Sequence, residues 1–244
     1  MAINDNIRPY IVLNGVSSRQ VKGLLICALP PISKPAQRIK TETVDGRDGD
    51  RVTTLGYSAY DKKVSIGLTY EYNVDDIIDF FNSSGKVVFS NEPDLYYKYS
   101  VYKQIDFNRL IRFKKADVVF HVQPFKYSDT ESEKTFSLEP LSPSEVAIRN
   151  NGNFYSRPTI TITGSGDINL FINGYQVLTL DLAVTSQTII LDGDSMNALS
   201  LDGTFLNRRV SGDLDDMRLK PGKNIISYTG SISEMKIDNY SRWI

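Results

Sequence analysis

Apolar positions near the start of the chain come in short runs, at 10–13 and 23–29, which predict two strands. Pro30, Pro31 and Pro35 then interrupt any ladder, because proline has no backbone N–H to donate, and the chain leaves as an extended arm. Residues 36–60 alternate only weakly between polar and apolar, are rich in charge, and centre on Gly46, Arg47, Asp48 and Gly49. They predict a long polar hairpin or loop. Such a segment cannot bury itself on its own core, so it is either a flap or an arm that lies on another subunit. Further on, Val64, Ile66, Leu68, Tyr70 and Tyr72 alternate with Ser65, Gly67, Thr69 and Glu71, the period of a half-buried strand. This strand runs into a helix. Asn73 suits the N-cap, Asp75 and Asp76 suit the positive end of the dipole, and Val74, Ile77, Ile78 and Phe81 share one face. Ser83-Ser84-Gly85 stops the helix, and the runs at 86–90, 95–102 and 116–125 read as three more strands. The first domain is therefore expected to be a sheet with one short helix, ending near Tyr127.

Residues 128–135 are polar, lack aromatics and read as a linker. Beyond them only strand patterns occur, at 158–164, 168–174, 175–182, 188–192 and 223–230. Asn173-Gly174 between two of these runs is a strong hairpin signal, and Asp192-Gly193, Asp202-Gly203 and Pro221-Gly222 punctuate the rest. This spacing predicts an antiparallel sandwich. The expectation is a mainly β protein of two domains, 1–130 and 131–244.

Composition agrees with strand. Tyr 14 and Phe 11 suit pleated, half-buried surfaces, while Gly 16 and Pro 10 supply turns. The 244 residues suffice for one or two domains at ~150 residues each. Lys and Arg together number 28 against 29 for Asp and Glu, so the cationic excess of a dedicated nucleic-acid binder is missing. Residues 1–130 hold 18 basic and 15 acidic side chains and the remainder 10 and 14; this modest asymmetry reads as solvated surface charge. One cysteine, Cys27, cannot close an internal disulfide, and one histidine, His121, excludes a zinc site built on several His and Cys ligands. The opening MAINDNIRPYIVLNG has no basic end followed by an apolar run, and no stretch reaches the ~20 apolar residues of a span. A soluble chain made in a reducing cytoplasm, with no membrane insertion, is expected.

No catalytic constellation emerges. His121 lies in the alternating run 118–122 on the side of Val119 and reads as a half-buried strand histidine; no Gly-x-Ser-x-Gly elbow exists for it to serve. Ser83-Ser84-Gly85-Lys86 matches Ser-x-x-Lys but lacks the partner motifs of that enzyme class and reads as a helix stop. Gly164-Ser165-Gly166-Asp167 falls between two strands instead of before a helix, and is expected to be a hairpin turn instead of a phosphate loop. Asp192, Asp194, Asp213, Asp215 and Asp216 lack the spacing of a calcium loop and read as turn acids. Tyr96, Tyr97, Tyr99 and Tyr102 could stack on sugars or bases. Their alternation, with Tyr97 and Tyr99 facing one way and Tyr96 and Tyr102 the other, is that of a strand with one core face. Neither a metal nor a cofactor is expected.

The stretch NNGNFYSRPTITITGSGDINLFING at 150–174, followed by TIILDGDSMNA, by GDLDDMRLKPGKNIISYTGSISEMKI and by a closing Arg242-Trp243, resembles the C-terminal domain of the distal tail proteins of long-tailed phages. In the first half, GLLICALPPISKPAQRIKTETVDGRDG, VDDIIDFF and FHVQPFKY occur in that family's order, so the resemblance covers almost the whole chain. It implies a non-catalytic structural protein of a siphovirus or prophage tail tip, made in the bacterial host. Such a protein forms a homo-hexameric ring below the tail-tube protein, and the tail-tip protein and the receptor-binding or adhesion protein attach to it. DNA passes through the ring without specific binding. The resemblance also implies an N-terminal, tail-tube-like domain whose long β-hairpin belt makes the ring, and a C-terminal galectin-like β-sandwich. Residues 36–60 match the belt, with Gly46, Arg47, Asp48 and Gly49 as its self-assembly residues. Two departures stand out: Gly212-Asp213-Leu214-Asp215 replaces the Gly-Asp-Phe-Pro of many relatives, and no sandwich loop is long enough for the sugar-binding module that larger relatives insert. From a different class, a carbohydrate-binding module using the sandwich is the alternative, and a hydrolase would need an acid pair or an activated nucleophile.

Overall fold

A computed structural model describes residues 8–131, 133–137 and 145–244. The first seven residues, on which the reading of the chain's start rests in part, lie outside the described residues, as does position 132 of the expected linker. The chain is mainly β and divides into two compact units, Met1–Asp129 with Ile244, and Thr130–Trp243. No helix among the described residues is long and apolar enough to cross a membrane.

In the first unit, strands β1 (Ile11–Leu13), β2 (Val16–Ser17), β3 (Leu24–Ala28), β4 (Gln37–Thr43), β5 (Asp50–Tyr57) and β6 (Tyr60–Leu68) precede helix α1 (Val74–Phe81). Strands β7 (Ser84–Phe89) and β8 (Leu95–Ser100), helix α2 (Phe107–Phe113) and strand β9 (Lys115–Ser128) follow. One sheet runs β2-β1-β7-β8-β9-β6-β3 through antiparallel pairs, while β4 and β5 pair only with each other. Alternation in β9 turns Ala116, Val118, Phe120 and Val122 into the core. Phe120 meets Phe81, Phe89 and Tyr99 edge-on at centroid distances of 6.2, 5.9 and 5.4 Å, the geometry that the ring quadrupole favours. Asn73 caps α1 by accepting from the amide of Asp75 at 3.0 Å, and Ile77 and Phe81 are its buried residues.

Three expectations need correction here. The first unit has two helices instead of one: α2 spans two turns, buries only Leu110 and leaves Ile111 and Phe113 exposed, so it carries no apolar period to read. Its ends are nonetheless defined, by Asp106 accepting from the amide of Arg109 at 2.8 Å and by Lys114 in the left-handed region at φ 55°. Strand β6 stops at Leu68, and Tyr70 is fully exposed. The amide of Thr69 still donates to the carbonyl of Gly23 at 2.9 Å, and the chain then passes so close to Gly23 that a Cβ there would lie 2.4 Å from that of Tyr72. Finally, the second face of β8 is covered at Tyr96, which stacks on Tyr127 at 5.4 Å beside Val88.

The second unit comprises β10 (Lys134–Ser137), β11 (Glu145–Asn150), β12 (Thr159–Ile172), β13 (Tyr175–Asp181), β14 (Gln187–Asp192), β15 (Asn197–Leu199), β16 (Val210–Gly212) and β17 (Gly222–Asp238). The expected hairpin at 164–167 is absent, because β12 is one continuous strand through Gly164, Ser165, Gly166 and Asp167. Its first half pairs with β14 and its second half with β13, while β17 accompanies it along both. The long strands therefore bend together and belong to two five-stranded layers, β10-β17-β12-β14-β15 and β11-β17-β12-β13-β16. Glycine marks the corner on both strands. A Cβ at Gly164 would lie 2.4 Å from the carbonyl oxygen of Ser231, and one at Gly230 (φ +105°) 2.4 Å from that of Asp167. On either side of the corner Ile160, Ile162, Ile168, Leu170 and Ile172 are buried in one shared core with Ile226, Tyr228, Met235 and Ile237. Asn173 and Gly174 both have positive φ, 53° and 83°, and join β12 to β13 in the two-residue turn that this dipeptide favours.

Candidate assembly surface

The hairpin of β4 and β5 belongs to neither core. Pairing runs from Gln37 opposite Tyr57 to Thr43 opposite Asp50, with one irregularity between Arg38 and Ile39, and every residue of β4 is exposed. Because paired residues share a face, Ile39, Thr41, Val52 and Thr54 lie on one side, and Lys40, Glu42, Arg51 and Thr53 on the other. The charged side holds its own ion pair, Lys40 with Glu42. The opposite side leaves Ile39 at 52% and Val52 at 58% exposure. A two-stranded ribbon with an apolar face in water is marginal by itself, and its outer backbone edges are free to extend another sheet.

Gly46, Arg47, Asp48 and Gly49, singled out from the sequence, all sit in the loop at the hairpin tip. Gly46 and Gly49 have φ of +80° and +77°, and a Cβ at either would meet nothing within 4 Å. The loop is closed by the amide of Arg47 donating to the carbonyl of Val44 at 3.2 Å. It carries Asp45, Arg47 and Asp48, and Asp50 and Arg51 follow at the start of β5, so this end of the ribbon holds three carboxylates and two cations.

The root of the hairpin is built differently, and sequence reasoning missed it. Asn91 donates to the carbonyl of Pro30 at 3.1 Å, Lys62 Nζ to that of Pro31 at 3.0 Å, and the Tyr60 hydroxyl to that of Ser33 at 3.4 Å. Lys62 is only 3% exposed, with its ammonium 4.8 Å from the centroid of the Tyr97 ring. The Tyr97 hydroxyl donates to Glu92 at 2.8 Å, and Lys126 donates to the other oxygen of Glu92 at 2.9 Å. Burial pulls the Lys62 ammonium below its ordinary pKa, against the attraction of Glu92, and pushes the phenols of Tyr97 and Tyr60 up. One signal was available: Lys62 shares parity with Val64, Ile66 and Leu68, which places it on the core face of β6.

The other sequence candidates are dispersed. His121 Nδ1 lies 2.9 Å from Asp61, which also pairs with Lys103, and these two partners hold the Asp61 carboxyl below its usual range. The Ser83 hydroxyl meets that of Tyr99, whereas the Lys86 ammonium lies 4.5 Å from the centroid of the Tyr96 ring. Asp192 accepts from the amides of Asp194 and Ser195, Asp213 from that of Asp215, and Asp215 pairs with Arg157 and Arg218. Among the described residues no group of three or more His, Cys, Asp or Glu is placed to hold a metal. Cys27 is exposed.

No family model matches the sequence, and no curated protein matches it either. Solved structures do match. The Dit (gp 19.1) protein of phage SPP1, described as a paradigm of the hub adsorption apparatus in phages infecting Gram-positive bacteria, is similar at a TM-score of 0.62 and 16% identity. The match covers 94% of this chain and 98% of that one, so both units are included. The baseplate of phage P2 in its activated conformation matches over 94% of this chain at 10% identity, with TM-scores of 0.40 in the calcium form and 0.41 in the strontium form. The SPP1 likeness establishes the fold: this chain has the two-domain β fold of a phage hub protein.

Proposed function

We propose that the chain is a non-catalytic structural hub at the tail tip of a long-tailed phage or prophage, where six copies close into a ring. The ring would join the tail-tube protein above to the tail-tip protein and the receptor-binding or adhesion protein below. Residues 1–130 would form the ring and 131–244 an autonomous galectin-like sandwich. The observation that carries this is the β4–β5 ribbon, which stands apart from the core of its own unit with an unpartnered apolar face and free backbone edges, in a chain with the fold of the SPP1 hub protein. Closing a ring through such ribbons covers that face and uses up the edges. Genome passage through the opening fits a chain without cationic excess, and no cofactor enters the role. A carbohydrate-binding sandwich has less support, since Tyr155 is flanked by Arg218 and Arg242 at 4.9 and 4.7 Å from its centroid and Trp243 is half-buried.

Removing residues 37–55 tests the assembly role directly. The amide of Ser58 donates to the carbonyl of Ala36 at 2.9 Å, so the deletion leaves Gly56 and Tyr57 as a two-residue turn between residues that are already paired. We expect a soluble, folded monomer by light scattering, and a fragment 134–244 that folds alone without forming rings. Rings from the shortened chain, or self-association of the fragment, would move the interface to another part of the molecule.

A further inference from the structure

We infer that the acidic tip of the hairpin docks into a cationic hollow on the first unit of a neighbouring copy, the hollow lined by Lys63, Arg109 and Lys115. This rests on the hub reading above and names the surface that would receive the belt. The hollow, of about 660 Å3, opens between the outer face of β6 and β9 and one side of α2, with Ser65, Phe113 and Asp117 completing its wall. Lys63 pairs with Asp117 at 2.8 Å, and that contact keeps the Asp117 carboxyl below its ordinary range. The charge of Arg109 also acts on Asp117, and three cations against this one carboxylate leave the wall with an excess of positive charge for an incoming anion. Phe113, 64% exposed, supplies an apolar rim.

The hairpin tip is the complement of this surface. Asp45, Asp48 and Asp50 outnumber Arg47 and Arg51, and Val44 is an exposed apolar side chain next to them. The seven residues of β4 give the ribbon a length of about 24 Å, on the scale of a whole domain of this size, so its tip reaches a neighbour. An acidic tip and a basic hollow are different surfaces of one chain. Their union is heterologous, the kind of contact that builds a ring where the rotation closes, instead of a two-fold dimer. Exposed ion pairs contribute little individually, but opposed charge fixes register and excludes wrong docking, and a closed ring repeats the contact at every interface.

The test uses the full-length protein. Carbodiimide, which joins a carboxylate directly to an amine, is applied to an equal mixture of isotopically light and heavy chains. We expect light-to-heavy links from Asp45, Asp48 or Asp50 to Lys63 or Lys115. In sedimentation at low salt, Asp48→Lys and the double variant Arg109→Glu/Lys115→Glu should each weaken self-association at least tenfold, and mixing the two variants should restore it to within about threefold. All three positions are exposed, so the melting temperatures should not move. Self-association that is indifferent to Arg109→Glu/Lys115→Glu would overturn this docking and leave the hub reading standing. A wild-type chain that stays monomeric at every concentration would overturn both. If the double variant loses salt-sensitive binding to duplex DNA while its rings persist, the hollow takes phosphates and the docking is wrong.

Discussion

The β4–β5 hairpin and the β12–β17 pair are both long antiparallel ribbons with irregular pairing near glycine, yet one is exposed except at Gly56 and Tyr57 by its base and the other crosses the centre of a sandwich. Their backbones satisfy each other in the same way. What separates them is the density of apolar residues on one parity. In β12 Ile160, Ile162, Ile168, Leu170 and Ile172 all point inward. The hairpin offers only Ile39 and Val52, diluted by threonine, on its apolar face. A ribbon of the first kind is stable where it folds, whereas one of the second kind leaves its apolar face in water.

That contrast can be broken by truncating one residue in each ribbon. Leu170→Ala removes a buried side chain from β12 and should cost about 3 kcal/mol in urea unfolding, whereas Val52→Ala should change the stability of the isolated chain by less than about 0.5 kcal/mol. A comparable loss at Val52 would mean that the hairpin packs on its own chain. Glycine sharpens the same point at smaller scale. At Gly230 an alanine meets the carbonyl of Asp167 and adopts an unfavourable φ, so Gly230→Ala should cost about 2 kcal/mol of global stability. Gly46→Ala has the φ problem without the collision, and its cost of about 1 kcal/mol should register as faster hydrogen exchange in the hairpin alone.

The smallest effect concerns the turns. The hairpin tip is closed by the Arg47 amide and by the Thr43 hydroxyl, 3.4 Å from Asp50, but the turn after β15 ties the Ser200 hydroxyl, the Thr204 amide and the Asp202 carboxylate together, which lowers the Asp202 pKa to about 2. A carboxyl depressed in the folded state contributes stability above its ordinary value near 4 that fades as pH falls toward 2. Asp202→Asn should therefore flatten the decline of melting temperature between pH 4 and pH 2, and an unchanged profile would show that the turn is open in solution.

Helix α1 was legible because its cap and its period agree at Asn73, Ile77 and Phe81; α2 was not, because one buried leucine is no pattern. The Asn173-Gly174 turn could be read because few residues accept positive φ in succession. The corner at Gly164 was misread because a strand that changes sheets needs the same small, flexible residues as a reversal, and only the partner strands distinguish the two. For the hairpin, weak alternation and excess charge located its strands and its tip. Nothing local in Lys63, Arg109 and Lys115 indicates that β6, β9 and α2 bring them together, and Lys62 was passed over although its parity placed it in the core.

The fixed root of the hairpin makes it a lever. A rod about 24 Å long that swings by ~5° at its base displaces its far end by roughly 2 Å, enough to take a carboxylate out of hydrogen-bond range. The buried ammonium of Lys62, held between the carbonyl of Pro31 and the Tyr97 ring, fixes the chain six residues before β4 and, under the docking proposed above, would act as a bearing for a tip it never touches. Precision at the end of such an arm is decided at its pivot, so the most sensitive position for where the arm lands lies inside the body of the chain, far from any surface a neighbour could reach.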